Sequence, residues 1–306
     1  MLSSRWRTPR LAGIGMAATA NCLFAFNDAM LRLVADETGV AEAVWGRFFF
    51  FLVFGSLAIL PFHWRAVADT GHKGALLLRG VIPVVGTYLV VLTIGYIPFA
   101  EAAAIIFLAP VATMILGLLL LGERVGLAPR VAALVGVAGM LAITRPWGGA
   151  LHPAYLGAMG AMAAIACHQL LTRFAAVRVN PWAANFYMAL AAAATSSLIL
   201  PFVWVTPSPL AVAGMAASGL IYLGSHVLFI AAHRQVEASM LAPYSYFQLV
   251  GAMAFGYALL GQVPTAWTLA GAAAIALAGA LIVAGELRGG SRPADRVAPT
   301  PDAAQD

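Results

Sequence analysis

Asp28, Arg32, Arg47 and Glu101 are ionisable side chains set inside long apolar runs. A charged group at the centre of a bilayer costs on the order of 2.5–3.5 kcal/mol on insertion scales, so each one is a functional candidate. Asp28 and Arg32 stand four residues apart, which puts them on one helix face within pairing reach. With Glu42, Arg47 and Glu101 they form an outer group, expected as an ion-pair network that joins the first, second and fourth spans. Exchange of partners within such a network would make it an outer gate. A second set is polar but mostly uncharged. Asn21, Tyr88, His226 and Gln248 fall near the midplane of their runs, with Phe24, Phe107, Tyr222 and Tyr246 nearby and His168 somewhat displaced. Aromatic walls with a few polar points suit a small organic ligand, so these nine residues are the expected substrate-binding set. Proton coupling is open to Asp28, Glu101, His168 or His226.

Other chemistry is poorly served. Cys22 and Cys167 each lie in an apolar run with no second Cys or His at ligand spacing. They read as small buried residues, and neither a metal nor a cofactor is expected. Gly13-x-Gly15 has no strand before it, and no serine has a His and Asp arrangement nearby. An intramembrane enzyme using the histidines and acids is the competing class, with no repeated metal spacing to support it.

The elements that must hold these residues follow from composition. Hydrophobic residues make up 62% and charged residues 9%, against about 25% charged in soluble domains. Mean hydropathy is +0.90. The chain reads as an all-α, polytopic membrane protein whose partners are the lipid bilayer and a small-molecule substrate. Its pI of 9.6 does not point to nucleic acid, because the basic residues are spread along short loops. Ten spans are expected, roughly 11–34, 41–62, 75–97, 100–121, 127–144, 154–176, 183–204, 210–236, 238–260 and 267–284. Turn chemistry separates them at Gly39, Gly71 to Gly74, Pro98, Pro129, the 145–149 stretch, Asn180-Pro181, Pro207 to Pro209 and Pro264. Arg5, Arg7 and Arg10 precede a first run too long for a signal-peptide core, which is read as the first helix. Fourteen of the 17 basic residues fall in segments on the N-terminal side of the membrane, which sets both termini in the cytoplasm. Residues 285–306, polar and proline-rich, are expected as a disordered cytoplasmic tail.

The chain also repeats itself. Pro98 to Val125 places an acid first, then an apolar run interrupted by Pro110, then Leu121-Gly122. Glu237 to Pro264 follows the same plan and reaches Leu260-Gly261. The Asn27-Asp28 region matches His168-Gln169, Arg47 matches Asn185, and Tyr88 matches His226. Two halves, 11–144 and 154–284, follow. Five spans each is an odd number, so the halves face opposite ways, the arrangement of transporters with a midplane site between inverted repeats.

Arg47-Phe48, Pro-Phe-Ala-Glu-Ala (98–102), Phe-Leu-Ala-Pro (107–110) and Leu-Gly-Glu-Arg (121–124), in this order, resemble the EamA family of the drug/metabolite transporter superfamily. The likeness covers about residues 11 to 285. It implies ten helices, cytoplasmic termini, a central cavity and export of amino acids or other small metabolites. Gln262 and Asn185 depart from the pattern, where an acid and an arginine would be expected. The resulting expectation is a secondary transporter of the bacterial inner membrane that works by alternating access and exports amino acids or related compounds, aromatic ones included. Uptake or exchange of a larger metabolite is the second reading.

Overall fold

A computed structural model describes residues 7–121, 127–145, 152–176, 179–235 and 246–288, and every element among them is helical. In chain order the helices are α1 (Arg7–Thr38), α2 (Val40–Ala68), α3 (Lys73–Thr93), α4 (Phe99–Ile106), α5 (Ala109–Leu121) and α6 (Leu127–Thr144). They continue as α7 (Ala154–Ala176), α8 (Pro181–Ser197), α9 (Leu200–Val203), α10 (Pro209–Gln235), α11 (Tyr246–Leu260) and α12 (Ala266–Arg288). By length and composition α2, α3, and the segments Ala154–Leu171 and Pro209–Ala232 can each cross a membrane, and shorter apolar helices accompany them. Leu119, Leu134, Leu156 and Leu210 are each at least 70% exposed. That much apolar surface on the outside is what lipid requires and water would penalise.

The breaks have backbone causes. Gly39 alone joins α1 to α2, at φ +85°, a conformation that side-chain-bearing residues disfavour. Pro61 has no amide to give the Leu57 carbonyl, and α2 kinks there, with His63 at φ −131°. The span expected over 100–121 is two helices. Pro110 likewise offers no N–H to the Ile106 carbonyl, and α4 ends at Ile106, a turn before the proline. The span expected over 183–204 also divides, into α8 and α9 with Pro201 in the latter. α12 continues to Arg288, past the expected end at 284. The Gly122-Glu-Arg step, the start of the ninth expected span with Glu237, Pro243 and Tyr244, and the tail from 289 lie outside the described residues.

α1 packs along α10 and α11, and α7 packs along α3, α4 and α5. α2 lies against α10 and α8, α8 against α3, and α6 against α12. Two apolar cores result. One joins Ala25, Ile97, Phe99, Ile105, Leu249 and Ile275; the other joins Leu31, Phe48, Phe51, Val84, Met188 and Met215. In the α6–α12 contact bare backbones touch. A Cβ on Gly139 would stand 2.8 Å from the Gly271 carbonyl oxygen, and one on Gly271 would stand 2.6 Å from that of Gly139. Lipid tails are as apolar as leucine, so close approach through small residues is what holds such a pair together.

Candidate functional site

The second core carries the polar chemistry. α10 presents Ser218, Tyr222 and His226 at four-residue steps, hence on one face. α1 presents Phe24 and Asp28 in the same way, with Asn27 beside them, and α2 presents Arg47, Phe48 and Phe51. These three faces meet.

At one end of the meeting is a polar knot around Arg47, which is 2% exposed. Its Nη2 donates to Asp28 Oδ1 at 2.9 Å and to the Asn27 carbonyl at 3.2 Å. Its Nε donates to Ser218 Oγ at 3.3 Å. Ser218 in turn donates to Asn27 Oδ1 at 2.6 Å. Asn27 Nδ2 is buried without a hydrogen-bond partner among the described residues. The guanidinium lies 5.3 Å from the Tyr222 ring centroid, within cation–π range.

One turn further along α10 the site becomes aromatic. Tyr222 meets Phe24, Phe48 and Phe51 edge-on, with centroids 5.8, 5.9 and 5.1 Å away. His226 contacts Tyr222 at 4.6 Å and Phe24 at 5.2 Å, and stacks on Phe51 at 5.8 Å. Its Nε2 is buried and has no hydrogen-bond partner. The same histidine borders a pocket between α2, α8 and α10, lined also by Phe51, Ser56, Trp182, Asn185 and Phe186. An aromatic wall ending in one unsatisfied imidazole nitrogen can accept a flat or apolar ligand and read one of its hydrogen-bonding groups.

A second cluster lies between α4, α7 and α12. Glu101, 5% exposed, accepts from Tyr155 Oη at 2.6 Å and from Thr268 Oγ1 at 3.1 Å. Thr265 and Thr268 hydroxyls are 2.8 Å apart. Gln262, beyond the positive-φ Gly261 that ends α11, accepts from the Phe99 amide at 2.7 Å. Phe99 opens α4, so this is one of the helix's orphan N–H groups. The amide that replaces the expected acid at 262 is therefore a cap for α4.

The remaining expected residues divide. Asn21 Nδ2 donates to the Ala17 carbonyl on its own helix at 2.8 Å. Tyr88 donates to the Ala41 carbonyl at 3.2 Å, which ties α3 to the start of α2. Phe107 packs against the first core. His168 interacts with Arg79 on α3. Gln248 is half-buried on α11. Tyr246 begins α11, and its side chain lies outside the described residues.

The expected pairing within the outer charges is corrected. Arg32 pairs with Asp36, one turn onward and nearer the surface, and Asp28 pairs with Arg47. Asp28 and Asp36 both stand four residues from Arg32 on the same helix, and with Arg47 of α2 taking Asp28, Arg32 pairs with Asp36. The network that was to tie the first, second and fourth spans is two clusters. Arg47 joins α1 and α2 to α10, while Glu101 joins α4 to α7 and α12. Glu42 accepts from the Val205 amide at 3.1 Å instead of joining a cation. Sequence reasoning passed over Ser218, Phe51 and the buried Arg79. The four-residue spacing of Ser218, Tyr222 and His226 was the signal that could have found the first. Arg79 was counted only as an orientation charge.

The sequence matches the EamA-like transporter family over residues 11–145 and 152–284. An S-adenosylmethionine uptake transporter of Rickettsia felis is 26% identical over 287 residues, 92% of this chain and 96% of the relative. A pseudopaline exporter of Pseudomonas aeruginosa is 26% identical over 87% of this chain and 94% of its own. A riboflavin transporter of Vibrio cholerae is 26% identical over 73% of this chain and 76% of its own. A solved crystal structure superposes with a TM-score of 0.57 at 21% identity, over 93% of this chain and 99% of that one.

Proposed function

The chain belongs to the EamA-like transporter family, and from that premise we propose that it is a secondary transporter of small organic metabolites working by alternating access. It is a multi-pass membrane protein. On this reading ten spans form two inverted halves, 11–144 and 154–284, with cytoplasmic termini in a bacterial inner membrane. The observation that carries the reading is an exchange symmetry in the helix contacts. Swapping α1, α2, α3, α4–α5 and α6 with α7, α8, α10, α11 and α12 turns the α1–α10 contact into α7–α3. It also turns α1–α11 into α7–α4/α5 and α2–α10 into α8–α3, and leaves α2–α8 and α6–α12 unchanged. Each of these contacts is present, which supports two halves related by a pseudo-two-fold axis.

The ligand site on this reading is the α1–α2–α10 meeting, with Phe24, Tyr222 and His226 as its wall. His168, Gln248, Tyr88, Asn21, Phe107 and Tyr246 are outlying members of the set. Amino acids or related compounds, aromatic ones included, are the leading substrate class, and export is the leading direction. Uptake is the second reading, favoured by the relative named for uptake. Relatives of equal identity are named for uptake and for export, so direction is expected to depend on coupling. Proton coupling through Glu101, Asp28, His168 or His226 belongs to the same proposal.

Proteoliposomes loaded with a panel of radiolabelled amino acids, S-adenosylmethionine and riboflavin, with and without a proton gradient, test it. Saturable flux of chemically unchanged solute is the expected result. Absence of flux for the entire panel, or recovery of altered solute, would overturn the reading.

A further inference from the structure

The polar knot divides unevenly between the proposed halves. Asn27, Asp28 and Arg47 sit on α1 and α2, and Ser218 on α10. Alternating access needs α10 to part from α1 and α2 at some point in the cycle. The Ser218 hydroxyl performs two tasks at once, donating to Asn27 Oδ1 at 2.6 Å and accepting from Arg47 Nε at 3.3 Å. Its departure would leave Arg47 Nε as a free donor and Asn27 Oδ1 as a free acceptor. Asn27 Nδ2 is already a buried donor with no partner. Beside these lies the Asp28 carboxylate, whose side chain keeps 19% of its exposure while that of Arg47 keeps 2%.

Two donors, one neutral acceptor and one anionic acceptor gathered around Arg47 are the complement of an ammonium carboxylate. The carboxylate takes Arg47 Nε and Asn27 Nδ2, and the ammonium takes Asn27 Oδ1 and Asp28. An amine lacking the carboxylate would leave two buried donors bare, and an acid lacking the amine would face Asp28 as a like charge. The next turn of each helix carries Phe24, Phe51 and Tyr222, so an apolar side chain on such a ligand has a wall to lie against. We propose that Asn27, Asp28 and Arg47 form the head-group site for an α-amino-acid zwitterion, and that Ser218 fills this site when no ligand is bound. The inference rests on the transporter reading above, and it changes the part played by Asp28 and Arg47 from gate to recognition.

A merely structural knot and a plugged site differ in the sign of one effect. If Ser218 is a plug, Ser218→Ala raises the energy of the unliganded conformation and removes part of the conformational cost of binding, so KM falls, roughly three- to tenfold. Ser218→Thr, which keeps the hydroxyl, returns KM toward the wild-type value. Asn27→Ala and Asp28→Asn raise KM tenfold or more. The assay is counterflow of radiolabelled L-phenylalanine, L-tryptophan and L-methionine in proteoliposomes of the full-length chain. Phenylalanine flux is competed by phenethylamine and by 3-phenylpropanoate, each expected to compete at least tenfold more weakly than the zwitterion. Size-exclusion profiles check folding, and should Asp28→Asn fail to fold, Asn27→Ala and Ser218→Ala decide the matter. An unchanged or raised KM in Ser218→Ala, or equal competition by either analogue, overturns the head-group site. Flux of riboflavin by a wild-type protein that moves none of the three amino acids overturns it too, while leaving the transporter reading in place. No flux of any solute removes both.

Discussion

Tyr155→Phe is the sharpest probe of how the helices are held at the α4–α7–α12 cluster. Glu101 is 5% exposed, and among the described residues its two oxygens are served by two hydroxyls, Tyr155 at 2.6 Å and Thr268 at 3.1 Å. A hydrogen bond to a charged group contributes about 1.5–3 kcal/mol. The short Tyr155 bond belongs at the upper end of that range and the Thr268 bond at the lower. Tyr155→Phe should therefore destabilise by about 2–3 kcal/mol and Thr268→Val by about 1–2 kcal/mol. The double variant should lose more than the sum, because the carboxylate then has neither donor; a coupling of about 0.5–3 kcal/mol is expected for groups sharing one partner. In a Glu101→Gln background the cost of Tyr155→Phe should fall to about 0.5–1.5 kcal/mol, the range for neutral pairs. Reversible unfolding by dodecyl sulfate in mixed micelles, followed by tryptophan fluorescence, gives each value. A Tyr155→Phe cost below about 0.5 kcal/mol, or additivity of the two variants within that margin, would mean that water reaches Glu101 and that the clasp argument is wrong.

Arg47→Ala should cost about 3–5 kcal/mol by stranding the Asp28 carboxylate, whereas Arg65→Ala, at an exposed site over Trp64, should cost less than about 0.5 kcal/mol; equal melting temperatures for the two would refute burial of the pair. His226→Phe should lower transport several-fold while leaving the melting temperature nearly unchanged, since a ring of similar size keeps the contacts with Phe24, Phe51 and Tyr222 and the imidazole Nε2 makes no hydrogen bond that could be lost; loss of transport that merely tracks loss of folded protein would make it a packing residue. Cysteines placed at the exposed Glu37, or at Gly148 or Pro207, in a chain lacking Cys22 and Cys167, should react with an impermeant thiol reagent on intact cells, and cysteines at Gly71 or Asn180 should not; the reverse pattern would invert the proposed orientation.

Much of the helical frame was legible because it rests on local rules. Apolar runs of bilayer length, and breaks at Gly39, Pro98 and Pro264, depend on residues adjacent in the chain. Pro110 was legible as an interruption, but its effect falls at Ile106, because the missing hydrogen bond belongs to the carbonyl four residues earlier. The polar partners were harder to read. Asp28 and Arg32 satisfy the four-residue rule, and so do Arg32 and Asp36; only the arrival of α2 beside α1 decides which pair forms. Ser218 is an unremarked serine in an alanine-rich helix until α10 lies against Asn27. Gln262 read as a lost acid, and its use as a cap for α4 depends on a contact across 163 positions.

The α6–α12 backbone contact has a consequence for how the protein is made. Its two glycine faces, at 139 and 271, belong to helices far apart in the order of synthesis. The ribosome completes α6 at residue 144 and does not begin α12 until residue 266. At about 5–20 residues per second, that interval is roughly 6–24 s. Throughout it α6 waits in the lipid without the surface it was shaped to meet, and it gains nothing from hiding its apolar side chains, because lipid already solvates them. The nascent chain thus holds one vacancy open until α12 arrives. A chain cut short before residue 266 would insert most of its helices and still lack the piece that closes α6, leaving a small-residue groove for quality-control proteases or a neighbouring chain to find.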